Sequence, residues 1–130
     1  MIEFHLDPQS GVATYLQIVR QVKDALRLGT LDVGDQLPTV REVVADLAVN
    51  PNTVAKAYRD LEREGLVVAR QGRGTFVAST LAPASLQPYA ELRAELERWL
   101  ASALRARLDE ESIRALISTT LREYLARRVA

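Results

Sequence analysis

Apolar residues alternate with polar ones at the start of the chain, then fall into the three-to-four-residue rhythm of helices for most of its length. Ile2, Phe4 and Leu6 alternate as a short strand does, and Asp7, Pro8, Ser10 and Gly11 end it. A helix is predicted from about Ala13 to Leu28, with Ile18, Val19, Val22, Ala25 and Leu26 facing inward and Gly29 as its stop. LDVGDQLP then turns the chain into a second helix, where Thr39 and Glu42 have capping-box spacing and Val40, Val43, Val44 and Leu47 share one face. The third helix opens with Asn50 as N-cap and Pro51 where its missing N–H is harmless. Its buried stripe is Val54, Ala57, Tyr58 and Leu61, and Gly65 closes it. Only Ala48 and Val49 remain for the turn between these two helices, so they should cross steeply, as in a helix-turn-helix.

Leu66 to Ala69 and Thr75 to Val77 read as strands around RQGRG, a hairpin whose glycines permit a tight tip. STLAPASLQP, rich in small residues, Ser and Pro, reads as a linker. Two more helices are expected, from about Pro88 to Leu108 and from Asp109 onward. The first carries Leu92, Leu96, Trp99, Leu100, Ala103 and Leu104, and the second Ile113, Leu116, Ile117, Leu121, Tyr124 and Leu125. Asp109 can cap the second, Glu110 and Glu111 suit its positive end, and Arg127 and Arg128 its negative end. The predicted fold is thus mainly α with a small β-hairpin. A winged helix-turn-helix spans residues 1–78, a linker 79–87 and a two-helix C-terminal domain 88–130.

The polar face of the third helix carries the candidate chemistry. Asn52, Lys56, Arg59 and Arg63 recur at helical spacing. An Asn can make bidentate contacts with adenine, and Lys or Arg can reach guanine or phosphate. The same stripe on an arbitrary helix is usually a solvated face; here it is flanked by a turn holding Arg70, Gln71, Gly72 and Arg73, suited to approach phosphate or the minor groove. Lys56 lies on the groove-facing stripe and is the expected base contact, whereas Arg73 at the wing tip is the expected phosphate contact.

LPTVRE, VNPNTVAKAY, EGLV and QGRGTFV, in this order and spacing, resemble the DNA-binding domain of the GntR family of bacterial transcription regulators, and within it the YtrA-type subfamily. FHLDPQSGVATYLQIVRQVK and LGTLDVGDQLP extend the likeness upstream. Ala13 and Val33 stand where prolines are common in the family. Pro51 and Ala55 stand where relatives often carry DNA-contacting Arg, which moves the expected contacts to Asn50, Asn52, Thr53 and Lys56. The resemblance implies a homodimeric, operator-binding regulator, most often a repressor, with Arg41 at a DNA-contacting position and the short helical C-terminal domain as the dimer interface. Thr39 is a DNA-contact candidate that its capping role explains better, and Arg59 joins Lys56 in contacting bases or phosphates.

Two helices alone leave their apolar faces uncovered, so Leu92, Leu96, Trp99, Ile113, Leu116, Ile117, Leu121 and Tyr124 are the expected dimerisation residues. Trp99 and Tyr124 could instead line a pocket for a small-molecule effector. With 48% hydrophobic residues the chain can build a core, and 17 basic residues balance 17 acidic ones, which disfavours a polybasic, non-specific binder. There is no Cys and a single His, His5, so thiolate chemistry is excluded and neither a catalytic constellation, a metal site nor a cofactor is expected. Without a signal-peptide pattern or a membrane-length apolar run, a cytoplasmic location is expected. The rival reading is a winged helix that binds protein rather than specific DNA.

Overall fold

The computed structural model describes residues 1–129. Its elements are α1 (Thr14–Leu28), α2 (Val40–Leu47), α3 (Pro51–Arg63), β1 (Val67–Arg70), β2 (Gly74–Val77), α4 (Gln87–Arg105) and α5 (Glu110–Val129). They form two compact units, one over Met1–Leu86 and one beginning at Gln87. No helix of the described residues is long and apolar enough to cross a membrane.

In the first unit, α1 packs on α3, α2 packs on α3, and α3 leads into the hairpin. Ile18, Val22 and Leu26 of α1, Leu37, Val43 of α2, and Val54, Ala57 and Leu61 of α3 are almost wholly removed from water. Fully burying a side chain of this size stabilises by about 1.5–3 kcal/mol. The caps are local. Thr39 Oγ1 accepts the Glu42 N–H at 3.1 Å and the Glu42 carboxylate returns to the Thr39 N–H at 3.5 Å. Asn50 Oδ1 accepts the Asn52 N–H at 2.8 Å, ahead of Pro51. Past the end of α3, Gly65 takes φ +77°, which lets the Leu66 N–H reach back to the Leu61 carbonyl at 3.0 Å.

Several expectations are corrected. Ile2–Leu6 is extended but forms no strand, because a side chain replaces the strand partner: the His5 N–H donates to Gln21 Oε1 at 2.9 Å and Gln21 Nε2 donates back to the His5 carbonyl at 2.6 Å. Phe4 still anchors this segment in the core. Residues before α2 are more than a turn, since Gln36 bridges Phe76, the Leu37 N–H donates to Thr75 at 2.9 Å and the Val77 N–H donates to Asp35 at 2.8 Å. The wing therefore has a short third member. Finally, α4 ends at Arg105 rather than Leu108, closed by Arg107 at φ +68° with the Leu108 N–H on the Ala103 carbonyl at 3.1 Å. The first hairpin strand lies one residue further along than expected and the second starts one residue earlier, with Val67 opposite Val77 and Arg70 opposite Gly74.

In the second unit, Asp109 caps α5 by accepting the Ser112 N–H at 2.8 Å, and hydrogen bonding from the Ser112 side chain, then from its N–H, holds the carboxyl below its ordinary value. Ala103 and Ile113 are its buried residues. A cavity of 360 Å³ lies beside them, lined by Leu100, Leu104, Glu110, Ile113, Arg114 and Ile117.

Candidate nucleic-acid interface

The inner face of α3 is fixed by its core stripe, and the Tyr58 hydroxyl adds a directional tie by donating to the Pro38 carbonyl at 2.6 Å, just ahead of the α2 cap. Burial, and secondarily the charge of Glu42, raise the Tyr58 phenol well above its usual range, so it stays protonated and donates. With that face anchored, Asn52, Lys56, Arg59 and Arg63 are left exposed on the other. Thr53 is half-buried at its border.

The structure brings this row together with the wing. Glu62 Oε2 accepts the Ala69 N–H at 2.7 Å, and Ser79 Oγ donates to the Gly65 carbonyl at 2.5 Å, so the end of α3 and the start of the hairpin are tied. At the tip the Arg73 N–H closes on the Arg70 carbonyl at 2.9 Å and Gly72 takes φ +74°. Such a turn demands Gly at that position. Gln36, from the third strand-like segment, donates from Nε2 to the Arg73 carbonyl at 3.1 Å, and a Cβ on Gly74 would come within 2.6 Å of that same nitrogen. Gln36 thus braces the wing tip from behind, a role that its place in a turn-like sequence did not disclose.

Among the described residues Arg41, Lys56, Arg59 and Arg73 are exposed and make no ion pair, whereas Arg63 pairs with Asp60 at 3.4 Å. Thr39 is engaged on both sides, accepting from Glu42 N–H and donating to Glu42 Oε1 at 3.1 Å, so its geometry is that of a cap. Asn50 has its oxygen in the cap, leaving its amide NH₂. Gln71 and Gly72 are exposed at the tip. Sequence reasoning missed Tyr15: the Lys56 ammonium sits 3.9 Å from the centre of its ring, although the two residues lie on different helices.

In the second unit, Leu92, Leu96, Trp99, Leu116, Ile117, Leu121 and Tyr124 are exposed. Ile113 is not: at 9% exposure it is buried. Trp99 and Tyr124 do not line the cavity between Leu100 and Ile117, and Tyr124 instead lies under Arg127, 5.5 Å from its ring centre.

Comparison with known proteins agrees with this geometry. The chain is 45% identical over 73 residues to the HTH-type transcriptional repressor YtrA of Bacillus subtilis (strain 168), an alignment covering 56% of each chain. It spans 56–60% of the length of this and two other curated relatives that it matches. Among solved structures it is similar to YtrA from Sulfolobus acidocaldarius, a GntR-family transcription factor, with TM-score 0.52, 35% identity, and coverage of 75% of this chain and 97% of that one. It is also similar to AraR(DBD) in complex with operator ORX1, with TM-score 0.51, 30% identity, and coverage of 58% and 93%. The sequence profile of the bacterial regulatory proteins of the gntR family matches residues 14–77, from α1 to the end of the hairpin, and the chain belongs to that family.

Proposed function

We propose that this chain is a cytoplasmic, operator-binding transcription repressor that acts as a homodimer, reading duplex DNA with α3 and steadying itself with the wing. The carrying observation is the exposed row Asn52, Lys56 and Arg59 on α3, beside a braced wing tip ending in Arg73, in a chain of zero formal net charge. A neutral chain gains little from non-specific attraction to DNA, so its cations matter by where they stand. Arg41 adds a cation at the start of α2, and the Asn50 amide borders the row. The likeness to the AraR domain in complex with an operator, and to the YtrA repressor, supports the same reading.

Residues 1–78 form the DNA reader in this proposal, 79–87 the linker and 88–130 the dimerisation domain. The exposed apolar side chains of α4 and α5 support self-association: Leu121 is 56% and Tyr124 54% exposed, more than isolated helices in water should leave uncovered without a partner. Two copies related by a two-fold axis would present two α3 helices to two half-sites.

Selection from a randomised duplex pool tests this. The full chain should enrich an inverted repeat with half-site centres about one helical turn apart, or a near multiple. A folded, dimeric chain that enriches no sequence would overturn the reading and leave the α3 row as a protein-facing surface.

A further inference from the structure

Lys56 does not take the partner that its helix offers. Asp60 stands one turn along α3, the ordinary ion-pair spacing, yet it pairs with Arg63 at 3.4 Å. The Lys56 ammonium lies instead over the ring of Tyr15 on α1, 3.9 Å from its centre. Tyr15 is packed against the core, so the ring is a fixed platform and not a second mobile side chain. The first turn of α1 carries no acidic residue that could hold the ammonium in its place. The attraction is that of a cation for the negative face of an aromatic ring, and at exposed sites it changes an equilibrium by about two- to fivefold.

The direction in which the head is drawn has a consequence for DNA. Base edges are reached by side chains that extend from the recognition helix into the groove, whereas phosphates run along its rims. A head held over a ring of α1 is restrained from extending outward along α3. Asn52 and Arg59, on the same exposed face, have no internal side-chain partner among the described residues and remain free to project.

On the basis of the DNA-binding reading above, we propose that Tyr15 is a positioning residue that holds Lys56 at the rim of the recognition helix, so that Lys56 grips a backbone phosphate and base reading falls to Asn52 and Arg59. This reverses the sequence expectation for Lys56. Tyr15 acts through its ring face, not its hydroxyl.

The test combines DNA titrations with a measurement on the free protein. Titrations of the full chain on the selected operator and on random duplex, at several salt concentrations, should show Lys56→Met weakening both by the same factor and lowering the slope of log affinity against log salt by about 0.9. Tyr15→Leu should weaken both by about two- to fivefold, Tyr15→Phe should restore wild-type binding, and Tyr15→Leu should have no further effect once Lys56 is Met. In the free protein, the Lys56 ε-methylene protons should be shifted upfield in wild type and Tyr15→Phe and lose that shift in Tyr15→Leu.

Several results would overturn the proposal: a Lys56→Met loss confined to the operator, Tyr15→Phe as damaging as Tyr15→Leu, an undiminished Tyr15→Leu effect in the Lys56→Met background, or no upfield shift in wild type. A wild-type chain that binds no duplex would remove the phosphate role together with the reading beneath it. The resonance shift would still decide the stack by itself, so the two failures can be told apart.

Discussion

Replacing Tyr58 with Phe deletes one oxygen from the centre of the first unit. The Tyr58 side chain is 7% exposed, and its hydroxyl donates to the buried Pro38 carbonyl at 2.6 Å. The variant loses that bond and leaves the carbonyl without its donor, a change worth about 1–3 kcal/mol at neutral pH. For a unit of this size it should lower the thermal midpoint by roughly 4–8 °C per kcal/mol. The pH dependence makes the prediction sharper. Burial and the Glu42 charge raise the folded-state pKa above the unfolded value of about 10. The contribution of Tyr58 is therefore complete below pH 10. It is lost as pH rises from there toward the folded pKa, because the unfolded chain releases a proton that the folded chain retains. By pH 11 wild type should have lost about 1.4 kcal/mol relative to the Phe variant, which has no such group to titrate. Urea unfolding followed through first-unit methyl resonances at pH 7, 9 and 11 measures both quantities. Equal stabilities at pH 7, or parallel losses for the two proteins between pH 9 and 11, would refute the argument.

Leu121→Arg places a charge in the exposed apolar surface of α5, and light scattering should show it shifting the chain from dimer to monomer; an unaltered dimer would remove α5 from the interface. Gly74→Ala puts a Cβ against Gln36 at a residue with φ +123°, at a cost of about 1–3 kcal/mol, and hydrogen exchange should quicken in β1 and β2 while α1 and α3 stay protected. Ala48→Gly should stabilise the first unit by up to about 1 kcal/mol in thermal melts, since relief of the left-handed φ of +53° exceeds the greater freedom of unfolded Gly.

The parts of the fold legible in the sequence are those specified by near neighbours. Thr39 with Glu42, Asn50 with Pro51, and Gly65 after α3 each set a helix end within a turn of themselves, and the structure places all three as read. What escaped depends on residues far apart in the chain. The alternation of Ile2, Phe4 and Leu6 signalled a strand, but whether its backbone meets another strand or the Gln21 side chain is decided by where α1 lies. The segment from Gly34 to Leu37 has turn-forming residues and no alternation, so its pairing with β2 has no local mark. Arg107 closes α4 in a conformation that usually advertises itself with Gly.

The candidate site divides in the same way. The row on α3 follows from helical periodicity, and the wing arginines from a Gly-bearing turn. The Lys56 contact with Tyr15 and the Gln36 brace on Arg73 join separate elements, and no spacing within the sequence encodes them. Ile113 shows the converse limit. Its spacing matches that of the other apolar residues of α5, yet it is buried where they are exposed.

The central claim is that the exposed face of α3 and the wing tip meet DNA. Amide and side-chain shift mapping of the ¹⁵N-labelled full chain, titrated with the selected duplex, tests it most directly. The account predicts that the largest changes cluster at Arg41, from Asn50 to Arg63, and from Gln71 to Arg73, with α4 and α5 little affected. Changes concentrated in α4 and α5, with the α3 row and wing silent, would contradict it.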